Sequence, residues 1–272
     1  MEKIDIPNSV TKIGIGAFKY CHSLKEVHLS EGIEVIEIGA FEECKALKEI
    51  QLPEGVKIIE AYAFENCPSL KSINFPNSIQ EIGNNAFYCS SLEKIFIQNG
   101  LEEIGSGAFI NCTALREIDI PKSVKRIGKE AFYKCKSLEK ISIPENVKRI
   151  NNYTFYDCES LKEIHLADGI QEINDLAFEN CISLKFIKIP DSVNKFNGTI
   201  FNNCESLEEI LWKGEVYKVE CLDGFCMNIL HEKEYNGCTF YKCTYFPKSD
   251  ITYIVKKREM YGTWRNAPRC NE

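Results

Sequence analysis

The chain has 272 residues, with 33 basic and 40 acidic side chains and a net charge of −7. That sign disfavours nucleic acid and anionic membrane as general partners, since both are polyanions. No apolar run approaches the roughly 20 residues needed to cross a bilayer. The start, Met1 to Val10, has two early acids and no apolar segment of the signal-peptide kind, so the chain as it stands reads as cytoplasmic.

The first element is a short strand at Ile4 to Pro7, alternating apolar and polar and ended by proline. Its equivalents are Ile73 to Pro76, Ile118 to Pro121, Ile141 to Pro144 and Ile187 to Pro190. A second apolar step follows each, as at Val124 and Ile127. Next comes a column rich in glycine and asparagine: Gly14, Gly83, Gly105, Gly128, Asn151, Asn174 and Asn197. These residue types tolerate positive φ best, so a left-handed turn is expected there, with Glu37 and Glu60 as exceptions.

An A-F-x-x-C-x-S-L stretch then crosses the other side of each coil, read as a helical turn or irregular bend. Its phenylalanine recurs at Phe18, Phe41, Phe64, Phe87, Phe109, Phe132, Phe155, Phe178 and Phe201, every 23 residues except one step of 22. Nine cysteines keep step: Cys21, Cys44, Cys67, Cys89, Cys112, Cys135, Cys158, Cys181 and Cys204. The short step is placed between Phe87 and Cys89. A fixed period of this length marks a stacked repeat protein, in which each unit covers the apolar side of its neighbour. The phenylalanines are expected to form an internal spine, and the cysteines a column of reduced, buried small hydrophobes.

The columns stop after Trp212. Residues 213–272 carry a formal charge of +2, against −9 for residues 1–212. Glu215 to Val219, Thr239 to Phe246 and Ile251 to Val255 are rich in β-formers, punctuated by Gly214, Gly224, Gly237 and Pro247. A small β-meander capping the last rung is expected, with a polar tail from Lys256 to Glu272. Cys221, Cys226, Cys238 and Cys243 form two C-x4-C pairs, a weak zinc candidate at the permissive edge of ligand spacing. No other cofactor is expected.

Together the columns read I-x-I-P-x-S-V-x-x-I-G-x-x-A-F-x-x-C-x-S-L. This pattern resembles the BspA-like leucine-rich repeat, also called the Treponema pallidum type, over about residues 1–212. The resemblance implies an α/β-type leucine-rich repeat solenoid of nine 23-residue repeats with short parallel strands on one curved face, followed by the β-rich cap. It also implies protein–protein contact, as in bacterial and protist surface adhesins, and so a cell-surface or secreted setting if this chain is a truncated form. The family brings no shared catalytic set.

Nothing in the residues adds one. GxSxG, Walker, HExxH and dinucleotide motifs are missing from the sequence. His28 and His165 fall in one column six rungs apart, and His22 and His231 show no carboxylate partner. The sequons at Asn111, Asn152 and Asn197 read as accidental. The chain is therefore read as non-enzymatic, binding an unidentified protein through its surface. Phe96, Phe186 and Leu211 are apolar where the strands should face outward. Tyr88, Ile110, Tyr133 and Tyr156 form a stripe beside the spine, and Lys122, Lys125, Arg126, Lys148 and Arg149 a basic patch. Self-association is the alternative, because rung one has no rung before it and offers Ile4, Ile6, Val10, Ile13 and Phe18. A head-to-head homodimer would cover them. A carbohydrate-binding surface ranks third.

Overall fold

In a computed structural model the chain winds into a solenoid of nine rungs, each containing one spine phenylalanine. The structure describes residues 1–222, 225–235, 238–243 and 252–256, with side chains described as far as 216 and at Val219. Two stacks of short parallel strands run along it. The first includes Lys3–Asp5, Glu26–His28, Glu117–Asp119, Lys140–Ile143 and Phe186–Ile189, whose middle isoleucine or valine points inward between two outward residues. The second is built from two-residue strands such as Arg126–Ile127 and Glu172–Ile173. Equivalent residues of successive rungs are in register, as with Ile141 and Ile164 or Ile150 and Ile173.

Of the two forms expected for the far side, a helical turn or an irregular bend, the structure has the second: the described residues contain no helix. Backbone donors explain why. Along Gly14 to Leu24, alternate N–H groups split between two destinations. Ala17, Lys19 and Cys21 donate within their own rung, to Gly14, Gly16 and Phe18, while Gly16, Phe18 and Tyr20 donate to Ile38, Ala40 and Glu42 of the next. An α-helix would consume every donor internally. Here half of them join the rungs, so the far side stacks as firmly as the strands.

This alternation also relocates the left-handed residues. Gly14, Gly83, Gly105 and Gly128 do not have positive φ. Positive φ falls two residues on either side of the phenylalanine, as at Gly107 and Asn111 around Phe109 and at Glu130 and Lys134 around Phe132. Glu37 and Glu60 therefore break no rule. The glycine column serves close approach instead: a Cβ on Gly128 would lie 2.3 Å from the Ser106 backbone nitrogen, and one on Gly105 would lie 2.5 Å from the Gly83 carbonyl carbon. Gly14, in the first rung described, has nothing within 4 Å of a Cβ. Gly128→Ala should therefore lower stability by about 2–3 kcal/mol through backbone overpacking, and Gly14→Ala by less than about 0.5 kcal/mol. Denaturant midpoints of the two variants check this, and equal midpoints would refute the rung contact.

The nine phenylalanines stack as expected. Phe109 lies 5.4 Å from Phe87 and 5.6 Å from Phe132, ring centre to ring centre, with planes within 5° of parallel. All from Phe41 to Phe178 are fully buried, whereas Phe18 is half-buried.

The 22-residue step lies elsewhere than between Phe87 and Cys89. Cys89 has φ +56°, in line with Asn66 and Asn111, the left-handed residues two beyond their own phenylalanines. Ser90, 2% exposed, takes the cysteine column and contacts Cys112 Sγ through its Oγ at 3.3 Å. The missing residue falls after Ser90, in the turn before Leu92. The first strand stack is interrupted at this step, between Ser72–Asn74 and Lys94–Phe96, while the second continues through Glu81 and Glu103; elsewhere the first breaks between Glu163–Leu166 and Phe186–Ile189 and the second between Arg126–Ile127 and Arg149–Ile150.

Beyond rung nine, Glu209–Trp212 pairs in parallel with Phe186–Ile189 and antiparallel with Glu215–Leu222. Phe225–Tyr235, Cys238–Cys243 and Thr252–Lys256 extend the sheet antiparallel in turn. The register sets Cys221 opposite Cys226 and Cys243 opposite Ile229. The side chains of Cys221, Cys226, Cys238 and Cys243, which the zinc reading needs, lie outside the described residues. So do Gly224, Gly237, Pro247 and the tail after Lys256.

Candidate interaction surface

The outward residues of the first strand stack form two columns flanking the buried isoleucines. In the middle rungs one column runs Lys94, Glu117, Lys140, Glu163, Phe186. The other runs Phe96, Asp119, Ser142, His165, Lys188. Phe96 and Phe186 are 56% and 45% exposed, far above any spine phenylalanine. Leu211 is half-buried. A shallow depression of about 260 Å³ lies between the two aromatics, lined by Glu117, Asp119, Lys140, Ser142, Glu163 and His165.

Its charges are unevenly matched. Glu117 is held by Lys140 at 2.9 Å and faces Lys94 at 3.7 Å. The Lys140 ammonium holds the Glu117 carboxyl below the usual carboxylate range, and Glu117 in turn holds Lys140 above the usual lysine range. Asp119 and Glu163 make no ion pair among the described residues. Asp119 is the cross-strand neighbour of Phe96. Glu163 and Phe186 occupy the same place on consecutive rungs.

The other sequence candidates fall elsewhere. Tyr88, Ile110, Tyr133 and Tyr156 lie on the far side, each half-buried. Tyr133 and Tyr156 stack on one another at 4.8 Å, so part of the stripe is satisfied within the chain. The basic patch is largely neutralised between rungs: Lys125 pairs with Glu102 at 2.8 Å, Arg126 with Glu103 at 3.4 Å and Arg149 with Glu172 at 3.0 Å. Lys148 reaches the Glu145 carbonyl at 3.2 Å, and Lys122 is exposed. Exposed pairs of this kind are worth about 0–1 kcal/mol each, but they leave little net positive charge to attract an acidic partner.

Two histidines find carboxylates that the sequence did not reveal. His28 bridges Asp5 at 2.6 Å and Glu26 at 2.8 Å, and His22 lies 3.9 Å from Glu43. Among the described residues no group of acids, histidines and cysteines is arranged to hold a metal ion.

The cysteine column is buried from Cys44 to Cys204 apart from the displaced Cys89. Each thiol reaches the phenylalanine carbonyl of the preceding rung, as Cys135 does to Phe109 at 3.2 Å and Cys158 to Phe132 at 3.3 Å. Burial pushes the Cys112 thiol up to about 12 and those of Cys67, Cys135, Cys158 and Cys181 well above their ordinary value. Cys21 and Cys89 are half-buried. A bulky alkylating reagent should therefore label these two in the native solenoid, and the other column thiols only after denaturation. Peptide mapping by mass spectrometry checks this, and early labelling at Cys135 would overturn the column as drawn.

Stacked parallel strands with an in-register apolar spine and outward polar columns define a leucine-rich repeat solenoid. The model of the BspA type leucine rich repeat region matches in six copies, over residues 1–113 and 80–208. The chain belongs to that family. A leucine-rich repeat protein from Bacteroides ovatus is 37% identical, with a TM-score of 0.72 over 77% of this chain and 54% of its own. One from Eubacterium ventriosum is 26% identical, with a TM-score of 0.59 over 72% and 57%. A leucine rich cell surface protein from Faecalibacterium prausnitzii is 28% identical, with a TM-score of 0.58 over 76% and 53%. The chain thus spans little more than half the length of these solved relatives. No curated protein matches it. Among the described residues no helix is long and apolar enough to cross a membrane.

Proposed function

We propose that this chain is a non-enzymatic scaffold that binds another protein through the outward strand columns, in an adhesion or host-contact setting at a cell surface. The observation that carries the reading is the pair of exposed rings, Phe96 and Phe186, on a regular face where the repeat otherwise places polar residues. Large apolar side chains dominate interface energies, and among the described residues these two are left largely uncovered. The leucine rich cell surface protein from Faecalibacterium prausnitzii supports the setting. The test is affinity capture from the source organism and its surroundings, with retained proteins identified by mass spectrometry. A protein held by the native chain, released by Phe96→Ser with Phe186→Ser, and kept by Tyr133→Ser with Tyr156→Ser is the expected result. Retention indifferent to the strand-face pair, or no retained protein, overturns it.

A second reading, self-association through rung one, rests on Ile4, Ile6, Val10 and Phe18 being only half-buried where most of their later equivalents are buried. A head-to-head dimer would cover them and close at two copies. Light scattering of the 272-residue chain over a hundredfold concentration range should then show a dimer that Ile4→Lys weakens and Phe186→Lys leaves intact. A strict monomer throughout would remove this reading.

A further inference from the structure

We infer that the face between rungs five and nine recognises an extended, basic protein segment carrying lysine or arginine at positions i and i+4. This rests on the scaffold reading and deepens it. The two ends of the depression are built alike. Beyond one end Phe96 is the cross-strand partner of Asp119, and both residues are exposed on the same face. Beyond the other, Phe186 holds on rung nine the column position that Glu163 holds on rung eight, and both are exposed. A ring face next to a carboxylate suits a cationic side chain, whose stem packs on the ring while its charge meets the acid.

Both acids are available. Among the described residues neither Asp119 nor Glu163 makes an ion pair, while Glu117 between them is already held by Lys140 and Lys94. Lys140 is bonded to Glu117 and feels Asp119 and Glu163 only at longer range, so one lysine faces three acids over a floor that includes Ile118, Ile141 and Ile164. Lys188, two residues beyond Phe186 and facing the same way, confines a cation at that end to the Glu163 side of the ring. Residues 1–212 carry a net −9, so the long-range field also favours a basic partner.

The spacing selects the register. The two ring–acid pairs are centred three strand intervals apart and in different columns, a diagonal of about 16 Å at the usual strand spacing and rise. In an extended chain, residues i and i+4 face the same way about 13 Å apart, and flexible lysine stems span the remainder. Adjacent residues face opposite ways and cannot serve both ends. Two residues apart, at about 7 Å, they fall short.

The experiment is fluorescence anisotropy of the full chain with three labelled peptides. Lys-Thr-Ser-Thr-Lys places its cations at i and i+4. Lys-Lys-Thr-Ser-Thr places them side by side. Glu-Thr-Ser-Thr-Glu reverses the charge. The first should bind tightest. Phe96→Ser, Asp119→Asn, Glu163→Gln and Phe186→Ser should each weaken it about threefold to fivefold, and raised salt should weaken it further. All four side chains are at the surface, so unchanged melting temperatures verify that the variants fold. Equal binding of the two lysine peptides, preference for the acidic one, no measurable binding, or indifference to the four substitutions would overturn the inference. If the capture experiment still yields a partner released by the strand-face pair, the scaffold reading survives that failure. If capture yields none, the scaffold reading falls on its own account.

Discussion

Between pH 8 and pH 9.5 the solenoid should lose about 7 kcal/mol of stability, because six buried thiols stay protonated while those of the unfolded chain ionise. Burial holds Cys44, Cys67, Cys112, Cys135, Cys158 and Cys181 well above the ordinary thiol value. In this window the unfolded chain binds fewer protons than the folded one, so stability falls as pH rises. Below about pH 8 both states keep their thiols protonated and the effect vanishes. The loss is comparable with the whole stability of an ordinary domain, about 5–15 kcal/mol, so alkaline unfolding should be abrupt. Replacing Cys112 and Cys135 by serine, which already occupies the column at Ser90, leaves four such thiols and should reduce the loss to about 5 kcal/mol. The measurement is the urea midpoint against pH under reducing conditions. A flat profile to pH 9.5 would refute the protonated ladder.

Phe109→Ala should destabilise by about 3–5 kcal/mol, because the ring is fully buried between two others and the rungs are tied together by backbone bonds that resist collapse into the void. Its N–H bonds to Ala131 and its carbonyl accepts from Cys112 and Cys135, so the backbone around the cavity is fixed on both sides. Phe18→Ala should cost well under half as much, since Phe18 stacks on one side only, against Phe41 at 5.3 Å. Glu117→Ala, which removes pairs with Lys140 and Lys94 at the surface, should leave the denaturant midpoint nearly unchanged. Equal effects at Phe109 and Glu117 would refute the assignment of inward and outward positions.

The candidate surface was only partly legible in the chain. Phe96 and Phe186 stand out because strand alternation predicts their outward direction, and their exposure follows from it. Tyr133 and Tyr156 look equivalent in sequence, yet they stack on each other across one rung. Lys125, Arg126 and Arg149 read as a positive patch until the acids one period away, Glu102, Glu103 and Glu172, are brought beside them. The pairing of Phe96 with Asp119 and of Glu163 with Phe186 joins residues 23 positions apart. Such pairs can be seen in the columns, but unequal ion pairing along the columns is what singles them out.

The sequence by itself determined the period, the spine and the inward and outward faces. Each is a local pattern repeated along the chain: Ile118 and Ile120 around an outward Asp119, then Phe132 and Cys135, give the alternation that the other rungs follow, with Ser90 replacing the cysteine in one. Repetition leaves no other arrangement in which each unit covers the next. Only the tertiary structure decided the backbone of the far side and the place of the short step. Gly128 is explained by Ser106 of the rung before it, 2.3 Å from where its Cβ would stand. Ser90 rather than Cys89 takes the buried column because the left-handed residue two beyond each phenylalanine is fixed by donors shared with the next rung, as Cys89 N–H is with Ile110 at 2.8 Å. Residue type follows the burial a position needs, and burial repeats locally. Backbone conformation follows hydrogen bonds to another rung, which no single repeat contains.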